Sequence, residues 1–487
     1  MIYRGYKQES VEKSLPSKKS LLITMGAVAV FSLLTIFYFT RIEPDLPMAK
    51  NQSVIETSFG SIVTHSIPFA PRNHQILIAT RSQGSVTDLL IGNRQTEMLI
   101  YFEQSAVQSP PELQQQWSVS GRDLWKDENV SNVFLLDVAE QEGVFFVSSV
   151  AETLVPGATA MPCAQLAIHK IQAASDTPIT KLFWSSDFCL RLSGREYPGW
   201  HDLQGRMDFT ASHVYMTTGS ILSETYEGAY PNRGFQDFPP TLKLAERKFP
   251  IFGKVLRIEL ESPVMEIIAS GLRGPGGIAV DDRRVGLFIT DHGPRGGDEL
   301  NWLSLADSSD VGLASSPVDF GWPNVSLGAD YQANGGSFLQ KISTEFDSHD
   351  GATAPLYAWI PGIAPSQLIV LNEDSGFTNL NFQPGDLIIS SLKAESIFHV
   401  RLDAHKKTVS YVEPILIGSR IRDLELGFGG LVASTDNGQI IFIKTDDLRP
   451  SNGAFPPVDA LSPIYDSPIV LFFRKLINDL VDILIPS

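Results

Sequence analysis

The densest concentration of chemistry-bearing residues runs from Gly271 to Pro323, where the chain reads GLRGPGGIAVDDRRVGLFITDHGPRGGDELNWL and then DFGWP. Glycines and a proline in the turn before Asp298 and Glu299 expose backbone carbonyls beside carboxylates, the hard oxygen donors that Ca²⁺ prefers. Such a turn is either a cation loop or a tight, solvated connection between strands, and its residue types admit both.

The elements that must position this turn are strands. From about Ile55 to Lys444 short β-branched or aromatic runs recur, among them HQILIAT, GVFFVSSV, GKVLRIEL, VGLFIT, DLIISS and GQIIFIK, each closed by Gly, Asn, Asp or Pro. This pattern predicts an antiparallel all-β domain. The region contains no long segment of period 3.6, and no G-x-G-x-x-G follows a strand, so a dinucleotide fold and NAD are not expected. A span of about 390 residues is too long for one sandwich and fits six four-stranded blades of ~65 residues, a six-bladed β-propeller. The expected propeller covers residues 55–447, between linkers at 41–54 and 448–466.

Composition agrees with a globular enzyme or binding domain. The 487 residues are 43% apolar and 19% charged, with 38 Gly, 31 Pro and 2 Cys, which excludes disulfide-stapled miniproteins and disordered or collagen-like chains. A net charge of −17 argues against a nucleic-acid partner. Ser20 to Thr40 is uncharged, and at ~1.5 Å per residue it is about 31 Å long, enough to cross a bilayer. Arg4, Lys7, Lys13, Lys18 and Lys19 precede it. The expectation is a transmembrane anchor over residues 20–40, retained rather than cleaved, with a cytoplasmic tail of residues 1–19 and the domain facing the periplasm or cell exterior. Cys163 and Cys189 then lie where a disulfide is permitted, and two buried free thiols are the alternative. Residues 467–487 read as a C-terminal amphipathic helix: Pro468 stands at its first turn, and Ile469, Phe472, Phe473, Leu476, Ile477, Leu480 and Leu484 share a face. That face docks either on the propeller rim or along the membrane.

HGPRGGDELN followed by FGWP closely resembles the PQQ-dependent sugar dehydrogenases, the group of soluble glucose and aldose sugar dehydrogenases. Further segments match in order: THSIPFAPRNHQILIATR, which looks like the opening strand pair, then SNVFLLDVAEQEGVFFVSSVAE, FGKVLRIEL, PLYAWIPGIAPSQL, GDLIISSLKAESIFHVRL and RIRDLELGFGGL. The resemblance implies a six-bladed propeller that binds pyrroloquinoline quinone (PQQ) and Ca²⁺ and oxidises an aldose at C1. It implies that Arg273, Lys393, Arg420 and Arg422 hold the carboxylates of PQQ, the bidentate chemistry for which arginine suits. Arg420 and Arg422, two apart, point to one side of a strand, as a shared anionic ligand requires. By the same resemblance one Ca²⁺ takes the carbonyls of Gly293 and Pro294, and a second involves Glu299 and the carbonyl of Phe320. Trp359 and Tyr357 stack on quinone or sugar, or else are ordinary core aromatics.

The chain also departs from the family pattern. The general base of the family is the His of H-x-x-G-R, and here the segment is GWHDLQGRMDF. A gapless count places the base at Asp202, one residue after His201. In a strand a one-residue shift reverses the face, so His201 serves only if a bulge absorbs it. His201 is preferred as base for its imidazole, with Asp202 orienting it or the sugar. R-N-P-Q-G is replaced by Arg273-Gly274-Pro275-Gly276-Gly277, which removes two amide contacts, and an insertion separates Asn301 from Phe320. The leading expectation is an oxidoreductase acting on a small sugar. A propeller that has lost catalysis and binds a glycan, peptide or partner protein is the alternative.

Overall fold

The computed structural model describes residues 52–446 except 59, 84, 107–110, 128, 155–161, 174–176, 187–189, 192–199, 221–250, 295, 307–316, 323, 330–344, 347, 379–381 and 404–407. The expected anchor at 20–40, the C-terminal helix at 467–487, Cys189 and the side chain of Cys163 lie outside the described residues. No helix among the described residues is long and apolar enough to cross a membrane.

Six sheets, antiparallel but for a two-residue parallel strand at the edge of blade three, form six blades, as the length of the domain predicts. Their innermost strands are Ile76–Gln83, Val130–Gln141, Gln204–Phe209, Pro275–Asp281, Pro365–Val370 and Ile421–Gly427, which open blades one to six. Each packs on the next, and the sixth returns to the first, so the sheets close into a ring. Closure uses sequence-distant strands: Gly60–Pro68 pairs with Gln439–Asp446 at the edge of blade six, and Gln52–Thr57 adds outside it. Strand Gly60–Pro68 and strand Ile76–Gln83, which the sequence suggested as a pair, therefore belong to different blades. The reason is closure: the last blade must take a strand from the N-terminal side to leave no open edge in the ring.

Six apolar clusters fill the six interfaces between adjacent blades. Because both faces of a blade are covered, strand centres such as Leu387–Ser391 are buried throughout rather than alternating. Around the axis the contacts are polar. Arg206 of blade three, buried, donates from Nη1 to Asp137 Oδ1 of blade two and Asp423 Oδ1 of blade six, both at 2.8 Å. Its Nε reaches the Gly276 carbonyl of blade four at 3.1 Å, and its Nη2 reaches the Arg422 carbonyl at 2.8 Å. Asp423 Oδ2 accepts from the Ile78 amide of blade one, and Ser366 of blade five donates to the Ile421 carbonyl. All six blades thus meet in one hydrogen-bonded axial network.

Candidate active site

Inner strands of a propeller run the same way, so their starts, together with the ends of the second strands, share one end of the ring. His201 stands before the inner strand of blade three, Arg273 before that of blade four, and Arg420 and Arg422 at the start of that of blade six. Arg94, His292, Lys393 and Asp436 follow the second strands of blades one, four, five and six. Topology therefore gathers residues separated by more than 300 positions at one mouth of the axis.

His201 is not on a strand. It lies in the 3₁₀ turn Trp200–Leu203, anchored by Trp200 Nε1, which donates to Glu152 Oε1 at 2.8 Å. The extra residue between His201 and Gly205 is absorbed where Gln204 and Gly205 take φ of 61° and 64° and the strand register slips before Met207. The bulge foreseen for His201 is present, whereas the strand-face argument for Asp202 does not apply to a turn. Gly205 is required here: a Cβ would stand 2.8 Å from Leu136 Cβ and 3.0 Å from Ser148 Oγ. The carbonyl of Asp202 packs against Gly219, where a side chain would collide with it.

The imidazole of His201 meets Phe134 edge to face, with centroids 5.8 Å apart, and its Nε2 is sealed from solvent without a hydrogen-bond partner. Burial, reinforced by the charges of Arg94 and Arg422, pulls its pKa from 6.5 down to about 3. It is a neutral base at physiological pH. Arg94, which the motif comparison missed, is buried and donates to the Leu136 carbonyl at 2.5 Å and to Gln75 Oε1 at 3.4 Å. Burial and the neighbouring Arg206 and Arg422 lower it to about 9, so it stays charged. The signal that would have found it is positional: it follows the second strand of its blade, as His292 does. His292 was also missed. Its Nε2 lies 2.5 Å from the Pro365 carbonyl and therefore carries the proton, while burial holds the ring neutral despite nearby Asp298.

The expected cations are present at this end, and most of their groups already have protein partners. Arg273 Nη1 donates to the carbonyls of His292 at 3.0 Å and Gly293 at 3.2 Å, and its guanidinium lies 5.6 Å over Trp322. Arg422 binds both oxygens of Asp436 at 2.8 and 2.9 Å, and Arg420 Nε joins at 3.1 Å. The anion those two arginines share is thus internal. Arg420 Nη1 also reaches the Leu392 carbonyl at 3.4 Å, beside Lys393, whose side chain is exposed. Trp359 is buried in the cluster between blades four and five against Phe398, and Tyr357 is partly buried beside it. Its strand, Tyr357–Trp359, is the outermost of blade four.

Among the described residues no group of three His, Cys, Asp or Glu side chains could hold a metal ion, so a cation at the turn relies on backbone oxygens. The carbonyls of Pro294 and Gly296 converge: a Cβ on Gly328 would lie 2.6 and 2.7 Å from them. This pair suits a hard cation. The Gly293 carbonyl, by contrast, serves Arg273. At the second expected site Glu299 already has protein partners. Glu299 Oε1 is 2.8 Å from His349 Nε2 and Oε2 accepts from Asn301 at 3.1 Å, one partner for each oxygen. Phe320 is core, its amide bonded to Ser270. Directly opposite Glu299, Asp291 is raised to about 8 by burial and by the Glu299 charge.

Residues 253–442 match the glucose/sorbosone dehydrogenase family model. The chain is 28% identical over 217 residues to an uncharacterized protein of Synechocystis, covering 41% of this chain and 47% of that one. It is 27% identical over 180 residues to the aldose sugar dehydrogenase YliI of Escherichia coli, covering 37% and 43%. The matches thus span less than half the length of either relative. In fold, the chain resembles the apo soluble aldose sugar dehydrogenase of Escherichia coli, with a TM-score of 0.53 at 17% identity over 78% of this chain and 99% of that one. A glucose dehydrogenase follows at 0.50 and 17%, over 78% and 98%. Through residues 253–442 the chain is similar to the glucose/sorbosone dehydrogenase family, and the solved sugar dehydrogenases share its six-bladed fold.

Proposed function

We propose that this protein oxidises an aldose at C1 to the lactone, using PQQ and Ca²⁺. The observation that carries this reading is the unpartnered, neutral Nε2 of His201, sealed at the axial mouth beside Arg94 and Arg422. Arg422, Arg420, Lys393 and Arg273 are the residues that would hold the cofactor's carboxylates, and the carbonyls around Pro294 would face the cation. When bound, the quinone accepts a hydride and the cation polarises its carbonyl. The role of His201 is to take the proton of the anomeric hydroxyl at Nε2 as hydride leaves C1. Phe134 and the Trp200–Glu152 contact hold the ring in place for that transfer. The uncharged stretch at 20–40 after five basic residues supports an anchored domain facing away from the cytoplasm.

Titrating the purified full-length chain with PQQ at millimolar Ca²⁺, followed by absorbance and aldose turnover, tests the reading. His201→Ala should lower turnover by roughly 10² with cofactor binding little changed, and Asp202→Asn should retain most of it. Absence of PQQ binding by the unaltered chain would favour the binding-propeller alternative, which the internal pairing of Arg420 and Arg422 with Asp436 also favours. A reporter active only in the cytoplasm, fused after Leu46, should be silent; activity would refute the topology.

A further inference from the structure

Among the described residues Asp436 is the one carboxylate that contacts both arginines of the R-I-R segment, and its geometry is built by the backbone. Thr435 pairs with Ile421 across the inner hairpin of blade six, and the Asp436 amide donates to the Arg420 carbonyl at 3.0 Å. The carboxylate thereby lies between side chains that leave the chain two residues apart. It grips Arg422 through Nε and Nη2 and Arg420 through Nε. Among the described residues this leaves Nη1 of Arg422 and Nη2 of Arg420 without a protein acceptor. Arg422 and Asp436 are largely sheltered, at 12% and 15% side-chain exposure, while Arg420 is 47% exposed.

Two guanidinium groups of like charge repel, and long side chains lose rotamer entropy when held. An anion on their Nε sides removes both obstacles before a ligand arrives. The remaining net charge of the trio, two cations and one anion, is still positive. We infer that Asp436 is a positioning residue that holds Arg420 and Arg422 as a preorganised pair for a ligand bearing carboxylates. This rests on the cofactor reading for the identity of the ligand, and it makes a prediction opposite to that of simple competition. If Asp436 merely occupied the ligand's place, removing its charge would tighten binding; as a positioning residue, its removal weakens binding.

The test compares the full-length chain with Asp436→Asn, using two probes: PQQ with Ca²⁺, and pyridine-2,4,6-tricarboxylate, which has the carboxylates without the quinone. Asp436→Asn is expected to weaken both by about tenfold, with a melting temperature close to that of the unaltered chain. In ¹⁵N-arginine spectra recorded without probe, two slowly exchanging Nε–H signals should be lost in the variant. Affinity unchanged or increased in Asp436→Asn, or unchanged Nε–H signals, would overturn the inference. An unaltered chain that binds the tricarboxylate but not PQQ would sink the oxidoreductase reading, and the tricarboxylate comparison would decide this inference. A chain that binds neither probe overturns both.

Discussion

At the scale of single residues, the site combines a histidine that is denied a proton with arginines that keep theirs. Imidazole ordinarily titrates near 6.5, and burial, Arg94 and Arg422 bring His201 to about 3. The folded state therefore binds this proton less readily than the unfolded chain does. Between about pH 6.5 and 3, acid protonates the unfolded chain first, so His201 costs stability increasingly as pH falls, and costs none above 6.5. For activity, the acid limb of kcat/KM governed by His201 should fall below pH 5, and Arg94→Met should move it upward. A limb near 6.5 in the unaltered chain would contradict this placement of the charges. His201 and Asp202 are adjacent in sequence, and choosing between them needed the backbone. Strand alternation is a poor guide where the chain forms a 3₁₀ turn followed by two residues at positive φ.

At the scale of elements, each blade is a sheet whose hairpins are pinned by buried polar side chains. In blade five, Asp386 accepts from His399 Nε2 at 2.7 Å, from Arg401 Nε and Nη2 at 2.9 and 2.7 Å, and from the Gln383 amide at 2.9 Å. Burial alone would raise this carboxyl, but the bonds from Arg401 and His399 outweigh it and hold it near 2. A depressed carboxyl contributes stability that is full above its unfolded value of about 3.9 and disappears as pH falls through about 2. Asp386→Asn should lower stability at pH 7 by about 2 kcal/mol. The difference between the two chains in denaturant melts should shrink toward zero near pH 2. The strands themselves were legible because β-branched runs closed by turn residues have a local cause. Which strands pair was less so: Gly60–Pro68 precedes Ile76–Gln83 closely in sequence, yet ring closure assigns them to different blades.

At the scale of the whole molecule, six apolar interfaces and one axial polar network hold the ring. Arg206 joins blades two, three, four and six through four hydrogen bonds, and its removal would leave Asp137 and Asp423 buried side by side without their shared cation. Arg206→Leu is expected to lower stability by about 3–5 kcal/mol, because breaking a buried ion pair costs more than the pair contributes. Thermal melts followed by near-ultraviolet circular dichroism would measure it, and a loss under about 1 kcal/mol would mean the axis is held by the apolar interfaces alone.

Local pattern and length were sufficient for the all-β class and the six blades, and ordered motifs for the resemblance to the sugar dehydrogenases, because strand propensity, turn chemistry and motifs are written in short segments. That resemblance also pointed to His201, Arg273, Arg420 and Arg422, whose residue types match the chemistry of an anionic cofactor. Tertiary structure alone decided what each touches. It brought Arg94 and His292 to the mouth, gave Arg420 and Arg422 an internal partner in Asp436, buried Trp359 with Tyr357 packed against it, and paired Glu299 with His349 and Asn301. These are contacts between residues tens to hundreds of positions apart, set by ring closure and burial, and no local pattern encodes them.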